Sequence, residues 1–161
     1  TGVQTCALPI FGFRIKSARN RGGFIRDITV QNLRLMDVRF PVLIQLNWFP
    51  QYSYGDQSNL SDKPEHWRKL ADGVEGDAGL TAVSGLMIKN MTAHRSDNKY
   101  FSRAFFIEGY PERPVAGLTL EGILIDATEF GKISGVDGLR FQNVQVTAVE
   151  NTQDCNDSYE R

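Results

Sequence analysis

Four segments of the chain share one alternation: apolar, any, apolar, any, Asn or Gly, apolar, any, apolar. They cover residues 28–35, 86–93, 118–125 and 139–146. The period of two within each half is that of a strand with one buried face. The fifth position is Asn32, Asn90, Gly122 and Asn143, and Asn and Gly most readily take a left-handed backbone. Each segment is therefore predicted to be two short strands joined at a tight corner, with the fifth residue making the bend. A further apolar strand is expected after each of the first three, at Val42–Leu46, Ala104–Ile107 and Gly131–Ile133.

A unit of two or three strands that recurs along a chain is the signature of a parallel β-helix, in which each coil buries its inward residues against its neighbours. The repeats begin at positions 28, 86, 118 and 139, so their spacing is uneven and insertions must leave the solenoid as loops. The longest insertion spans about 47–81. It holds Trp48, Phe49, Tyr52, Tyr54, His66 and Trp67, and the one helix expected is a short one at Pro64–Leu70. A loop of this length needs a small core of its own, which would occupy most of these aromatics. Trp48, Tyr52, His66 and Trp67 are the candidates for meeting a sugar, through an apolar ring face with a polar edge. His94 ends a strand-like run and is given no role.

Composition narrows the picture. At 161 residues the chain is one domain or part of one, and 41% hydrophobic content suffices for a core. No stretch reaches the length of a transmembrane helix. Cys6 and Cys155 lie near opposite ends and form no disulfide framework. The first ten residues carry no charge and no usable period. Residues 3–10 read as the translation of a short-read sequencing adapter, so residues 1–10 are expected to be an artefact and are excluded from fold reasoning. Residues 151–161 are polar and expected to fray.

The chemistry concentrates in residues 13–23. Phe13 and Ile15 alternate with Arg14 and Lys16, so a strand here projects both cations from one face. A turn rich in Arg follows, closed by Gly22 and Gly23. An Arg and a Lys two residues apart on a strand suit a planar carboxylate: Arg supplies a rigid fork and Lys a mobile point charge. The same residues also fit a plain solvated basic face. Together with Arg19, Arg21 and Arg26 they form a basic cluster, yet the net charge of −1 leaves no electrostatic footprint for nucleic acid.

The Arg14-Ile15-Lys16 motif with its Gly-rich turn resembles that of glycoside hydrolase family 28, the polygalacturonases and rhamnogalacturonan hydrolases. The His66-Trp67 loop and the Gly109-Tyr-Pro-Glu-Arg-Pro114 turn are also similar to segments of that family, so the resemblance covers nearly all of residues 12–149. It implies that residues 11–150 are the C-terminal coils of a right-handed parallel β-helix, an all-β fold. It implies that Arg14 and Lys16 hold a galacturonate carboxylate of a pectic polysaccharide. It also implies an extracellular or periplasmic setting, with no cofactor, no metal ion, no membrane, and no obligate protein partner.

The family's three catalytic aspartates lie upstream of this motif, and their segments do not occur in this sequence. Inverting hydrolysis needs an acid and a base about 6.5–9.5 Å apart. Asp27, Asp37, Glu108, Glu112 and Asp126 do not match the catalytic motifs and read as solvated or turn-forming residues. Phe40 stands near the place where the family often has a substrate-contacting Tyr. The chain is thus expected to carry substrate-binding residues of a pectin glycosidase but to be inactive alone. The alternatives are a non-catalytic carbohydrate-binding solenoid or a structural spike. A pectate lyase would need a calcium site of clustered acids, and none is visible. An open first coil would leave Phe13 and Ile15 uncovered and its strand edge available for pairing.

Overall fold

The computed structural model describes residues 10–48, 64–66, 68, 73–96 and 101–148. Among them lie nine strands: β1 (Phe11–Lys16), β2 (Phe24–Met36), β3 (Phe40–Gln45), β4 (Ala82–His94), β5 (Arg103–Glu108), β6 (Val115–Ala127), β7 (Glu129–Ser134), β8 (Val136–Asp137) and β9 (Arg140–Ala148). They form two parallel sheets. One runs β1-β3-β5-β7; the other runs β2-β4-β6, with β8 and β9 both pairing β6. From β1 to β8 successive strands alternate between the sheets, and β9 continues in the sheet of β8, so the chain winds as a parallel β-helix of four coils.

The corners are set by single residues. Asn32, Asn90 and Asn143 have φ of 60°, 49° and 52°, and Gly122 has 63°, as the alternation pattern predicts. These four stack in one column, and Asn90 Nδ2 donates to Asn32 Oδ1 at 3.3 Å. At Gly122 a Cβ would come within 3.0 Å of Asn90 Oδ1, so the next coil meets the Asn side chain with bare backbone. A second column of corners lies five residues earlier, at Asp27, Gly85, Gly117 and Gly138, with φ between 55° and 70°. The strands run longer than the pattern predicts because pairing continues through both corners: β2, β4 and β6 each have 13 residues.

Inward side chains form columns that cross the coils. Ile28, Leu86 and Leu118 make one; Leu33, Met91, Ile123 and Val144 make another; Leu35, Ala93, Ile125 and Val146 a third. In the two central coils these residues are buried, while Ile28, Leu33, Leu35, Val144 and Val146 in the end coils are half-covered. A fully buried aliphatic side chain contributes roughly 1.5–3 kcal/mol, so the central coils carry most of the stabilisation. Sequence reasoning expects Ile15 to be uncovered. It is instead buried at 6% exposure, because β1 pairs along its length with β3, placing Ile15 on Ile44. Phe13 is half-covered.

The insertion between β3 and β4 contains no strand among its described residues. Of the short helix expected at Pro64–Leu70, Glu65, His66 and Arg68 are described and helical, with Arg68 N–H donating to Pro64 O at 3.2 Å. A 3-10 helix follows at Gly76–Gly79. It meets the turn after β1, where Gly22 N–H donates to Gly79 O at 2.8 Å. A Cβ on Gly22 would sit 2.6 Å from Ala78 O, and its φ is 62°, so both space and backbone require glycine there.

Candidate functional site

Strand β1 carries Arg14 and Lys16 with Ile15 buried between them. Its pairing with β3 continues past both strand ends: Ser17 N–H donates to Gln45 O at 3.0 Å, and Trp48 N–H donates back to Ser17 O at 2.9 Å. This return bond draws the indole alongside the cations. Lys16 Nζ lies 3.9 Å from the centre of the Trp48 ring. The Arg14 guanidinium lies 4.0 Å from the Phe11 ring centre and 5.7 Å from that of Trp48. Arginine and lysine heads are attracted to such ring faces by the aromatic quadrupole.

Several cations of the coils are neutralised in pairs. Arg19 pairs with Glu112 at 3.0 Å, Lys89 with Glu121 at 3.0 Å, Lys132 with Glu108 at 2.6 Å, and Arg103 with Glu129. Among the described residues, Arg14 and Lys16 have no carboxylate partner. Burial pulls the Arg14 guanidinium below its ordinary value, and its Nε is buried with no hydrogen-bond partner. A buried donor without an acceptor costs free energy. A guanidinium with an ammonium two residues away on the same strand, and aromatic rings against both, can bind a planar anion.

The structure thus brings Arg14, Lys16 and Trp48 together. Trp48 presents its ring to both cations. His66 lies exposed in the helical turn of the insertion and is not among the described contacts of Arg14 and Lys16. Tyr52 and Trp67 lie outside the described residues. Phe40 stacks on Phe11 at 5.8 Å between ring centres, with Phe106 beyond it at 6.3 Å, so this position supplies an apolar ring and no hydroxyl.

The five carboxylates divide in two. Asp27 and Asp37 are turn-forming, with φ of 55° and 56°. Asp37 also accepts from Ser96 N–H and Ser96 Oγ, both at 2.7 Å, and these bonds hold its carboxyl below the usual range. Glu108, Glu112 and Asp126 are partly exposed, and Glu112 lies in a turn. Each has a cationic or imidazole partner: Lys132, Arg19, and His94 at 2.9 Å. Asp126 stands beside His94 because β4 and β6 pair in register. No group of three potential metal ligands occurs among the described residues, and no helix among them is long and apolar enough to cross a membrane.

Two residues of the site escape sequence reasoning. Phe11 and Arg14 have opposite parity on a strand, so alternation does not foresee their contact. Tyr110 is remote in sequence from β1, yet its ring lies 5.2 Å from the Arg19 guanidinium and its hydroxyl donates to Leu46 O. Neither a protein-family model nor a curated protein matches this chain.

Proposed function

We propose that the Arg14–Lys16–Trp48 face binds the carboxylate of a galacturonate-containing polysaccharide, and that the chain belongs to a pectin-degrading glycoside hydrolase of the polygalacturonase type. The observation that carries this reading is the gathering of Arg14 and Lys16 on one strand around the Trp48 ring, with no carboxylate partner among the described residues. The family resemblance of the Arg14–Lys16 motif supports the choice of substrate; a homogalacturonan and a rhamnogalacturonan backbone present the same group. Inverting hydrolysis would belong to the intact enzyme, whose acid and base come from segments this sequence lacks. An enzyme acting on cell-wall pectin works outside the cytoplasm.

A second reading, binding without hydrolysis, is favoured by the engagement of Glu108, Glu112 and Asp126 in pairs of their own. Both readings share the same contact with the carboxylate. Calorimetric titration with trigalacturonate and its methyl ester tests that contact. Arg14→Ala or Lys16→Ala should weaken binding of the acid about ten- to a hundredfold, the worth of one charge-assisted hydrogen bond. The ester should bind weakly to every form, and equal losses on acid and ester would count against the carboxylate role. Clean chain should release no reducing sugar from polygalacturonate, and release above background would place an acid–base pair within these 161 residues.

A further inference from the structure

The outward face of the β1-β3-β5-β7 sheet changes character from coil to coil. In the first coil it carries Arg14 and Lys16. Along the axis, Arg14 is followed in register by Leu43, Phe106 and Lys132, and Lys16 by Gln45, Glu108 and Ser134. Three phenyl rings run across the coils beside the cations. Phe11 stacks on Phe40 at 5.8 Å between ring centres, and Phe40 meets Phe106 edge-on at 6.3 Å. All three are partly exposed. The row joins the cation site directly, because the Arg14 guanidinium lies 4.0 Å from the Phe11 ring centre. At its far end the charges are already paired. Arg103, 5.5 Å from the Phe106 ring centre, pairs with Glu129, and Lys132 pairs with Glu108 at 2.6 Å.

A uronate chain laid across these coils meets two different surroundings. One carboxylate finds Arg14 and Lys16. A second carboxylate over the rings would give up water for apolar carbon. It would also approach Glu108, which alternation places on the same side of β5 as Phe106. An uncharged residue carrying a methyl group escapes both costs and covers ring surface. We propose that Phe11, Phe40 and Phe106 form a second subsite, which takes an uncharged, methyl-bearing sugar residue next to the uronate held by Arg14 and Lys16. Such a residue is a methyl-esterified galacturonate or a 6-deoxyhexose. The subsite rests on the reading of Arg14 and Lys16 as the carboxylate site, and it makes partly neutral pectin a better ligand than fully ionised polygalacturonate.

Calorimetry on the whole chain tests this with three probes: trigalacturonate, the same trimer with one free carboxylate and two methyl esters, and a galacturonate–rhamnose trimer. One methyl group moved from water onto a ring face is worth about three- to fivefold in affinity. At least one mixed ligand should exceed trigalacturonate by that factor, and the tighter of the two names the neutral residue. Its methyl protons should move upfield on binding, under the ring current of the phenyl faces. Phe106→Leu should shrink both the affinity ratio and the shift, and Phe40→Leu gives the same reading where the first variant does not fold. Trigalacturonate bound as tightly as both mixed ligands would overturn the phenyl subsite, as would a ratio that survives substitution in folded protein. Arg14→Ala separates the two readings. If it weakens trigalacturonate while the mixed ligands show no advantage, the cation site stands and the phenyl subsite falls. If the mixed ligands keep their advantage and their shift while Arg14→Ala weakens none of the three, the rings remain a sugar site and the carboxylate reading falls. Binding of no probe overturns both.

Discussion

Lys16 and Trp48 are 32 residues apart in sequence, and the ammonium of one stands 3.9 Å from the ring centre of the other. The contact exists because Trp48 N–H closes back onto Ser17 O, one residue after Lys16. An ammonium on an indole face keeps one side for other ligands. Trp48→Ala should therefore weaken binding of trigalacturonate about two- to fivefold, in line with 0.5–1 kcal/mol for an exposed cation–π contact, and Trp48→Phe should recover part of it. Calorimetry reads both, and unchanged affinity in Trp48→Ala would remove the indole from the site.

The corner at Asn90 gives a stability prediction. Its φ of 49° costs a residue with an ordinary Cβ about 1–2 kcal/mol. Asn90→Ala should lower the urea midpoint by a free energy on the order of 1 kcal/mol, losing the bond to Asn32 as well. Asn90→Gly should change it far less, since Gly122 fills the same column one coil on.

Acid should act through Asp37. Its carboxyl is held below the usual range by the two bonds from Ser96, so the folded state binds this proton less readily than the unfolded chain. The associated stability is present above the unfolded value, about pH 3.9, and is lost as pH falls through the folded value. Asp37→Asn keeps a residue tolerant of the left-handed backbone. The gap in urea midpoint between wild type and this variant should be open at pH 7 and close in strong acid; a gap that stays constant would show that the charge plays no part.

Alkali should act through Tyr110. Burial pushes its phenol up, so the folded state holds the proton more tightly than the unfolded chain. This stability is complete below about pH 10 and disappears as pH rises through the folded value. Wild type should lose more stability than Tyr110→Phe between pH 8 and pH 11, measured as paired urea midpoints.

Much of the solenoid was legible because a period of two survives in any strand with one buried face. Asn32, Asn90, Gly122 and Asn143 announced one corner column by residue type alone. The other column was equally available, as Asp27, Gly85, Gly117 and Gly138 stand five positions earlier, but Asp at its head hides the pattern. The cation pair on β1 was legible from alternation. Trp48 could be named a candidate, yet its meeting with Lys16 depends on a backbone bond across coils, which no local pattern encodes. The pairing of Glu108 with Lys132, or of Asp126 with His94, likewise depends on which coil lies next, and only the register of whole strands supplies that. Ile15 was misjudged because burial at a solenoid end depends on how fully the next coil covers it.

The two corner columns have a consequence for how such a chain can change length over evolutionary time. The interval between corners is constant, 27 to 32, 85 to 90, 117 to 122 and 138 to 143, whereas β3 and β4 are separated by everything from Leu46 to Thr81. Even so, β4 lies against β2 from the Phe24–Ala82 pair to the Met36–His94 pair. The stacking thus tolerates a long insertion between β3 and β4, while a single residue gained or lost between two corners would turn a buried face outward. Length can therefore vary in the middle of that junction, away from Leu46–Trp48 and Gly76–Thr81, but not inside the five-residue blocks between corners.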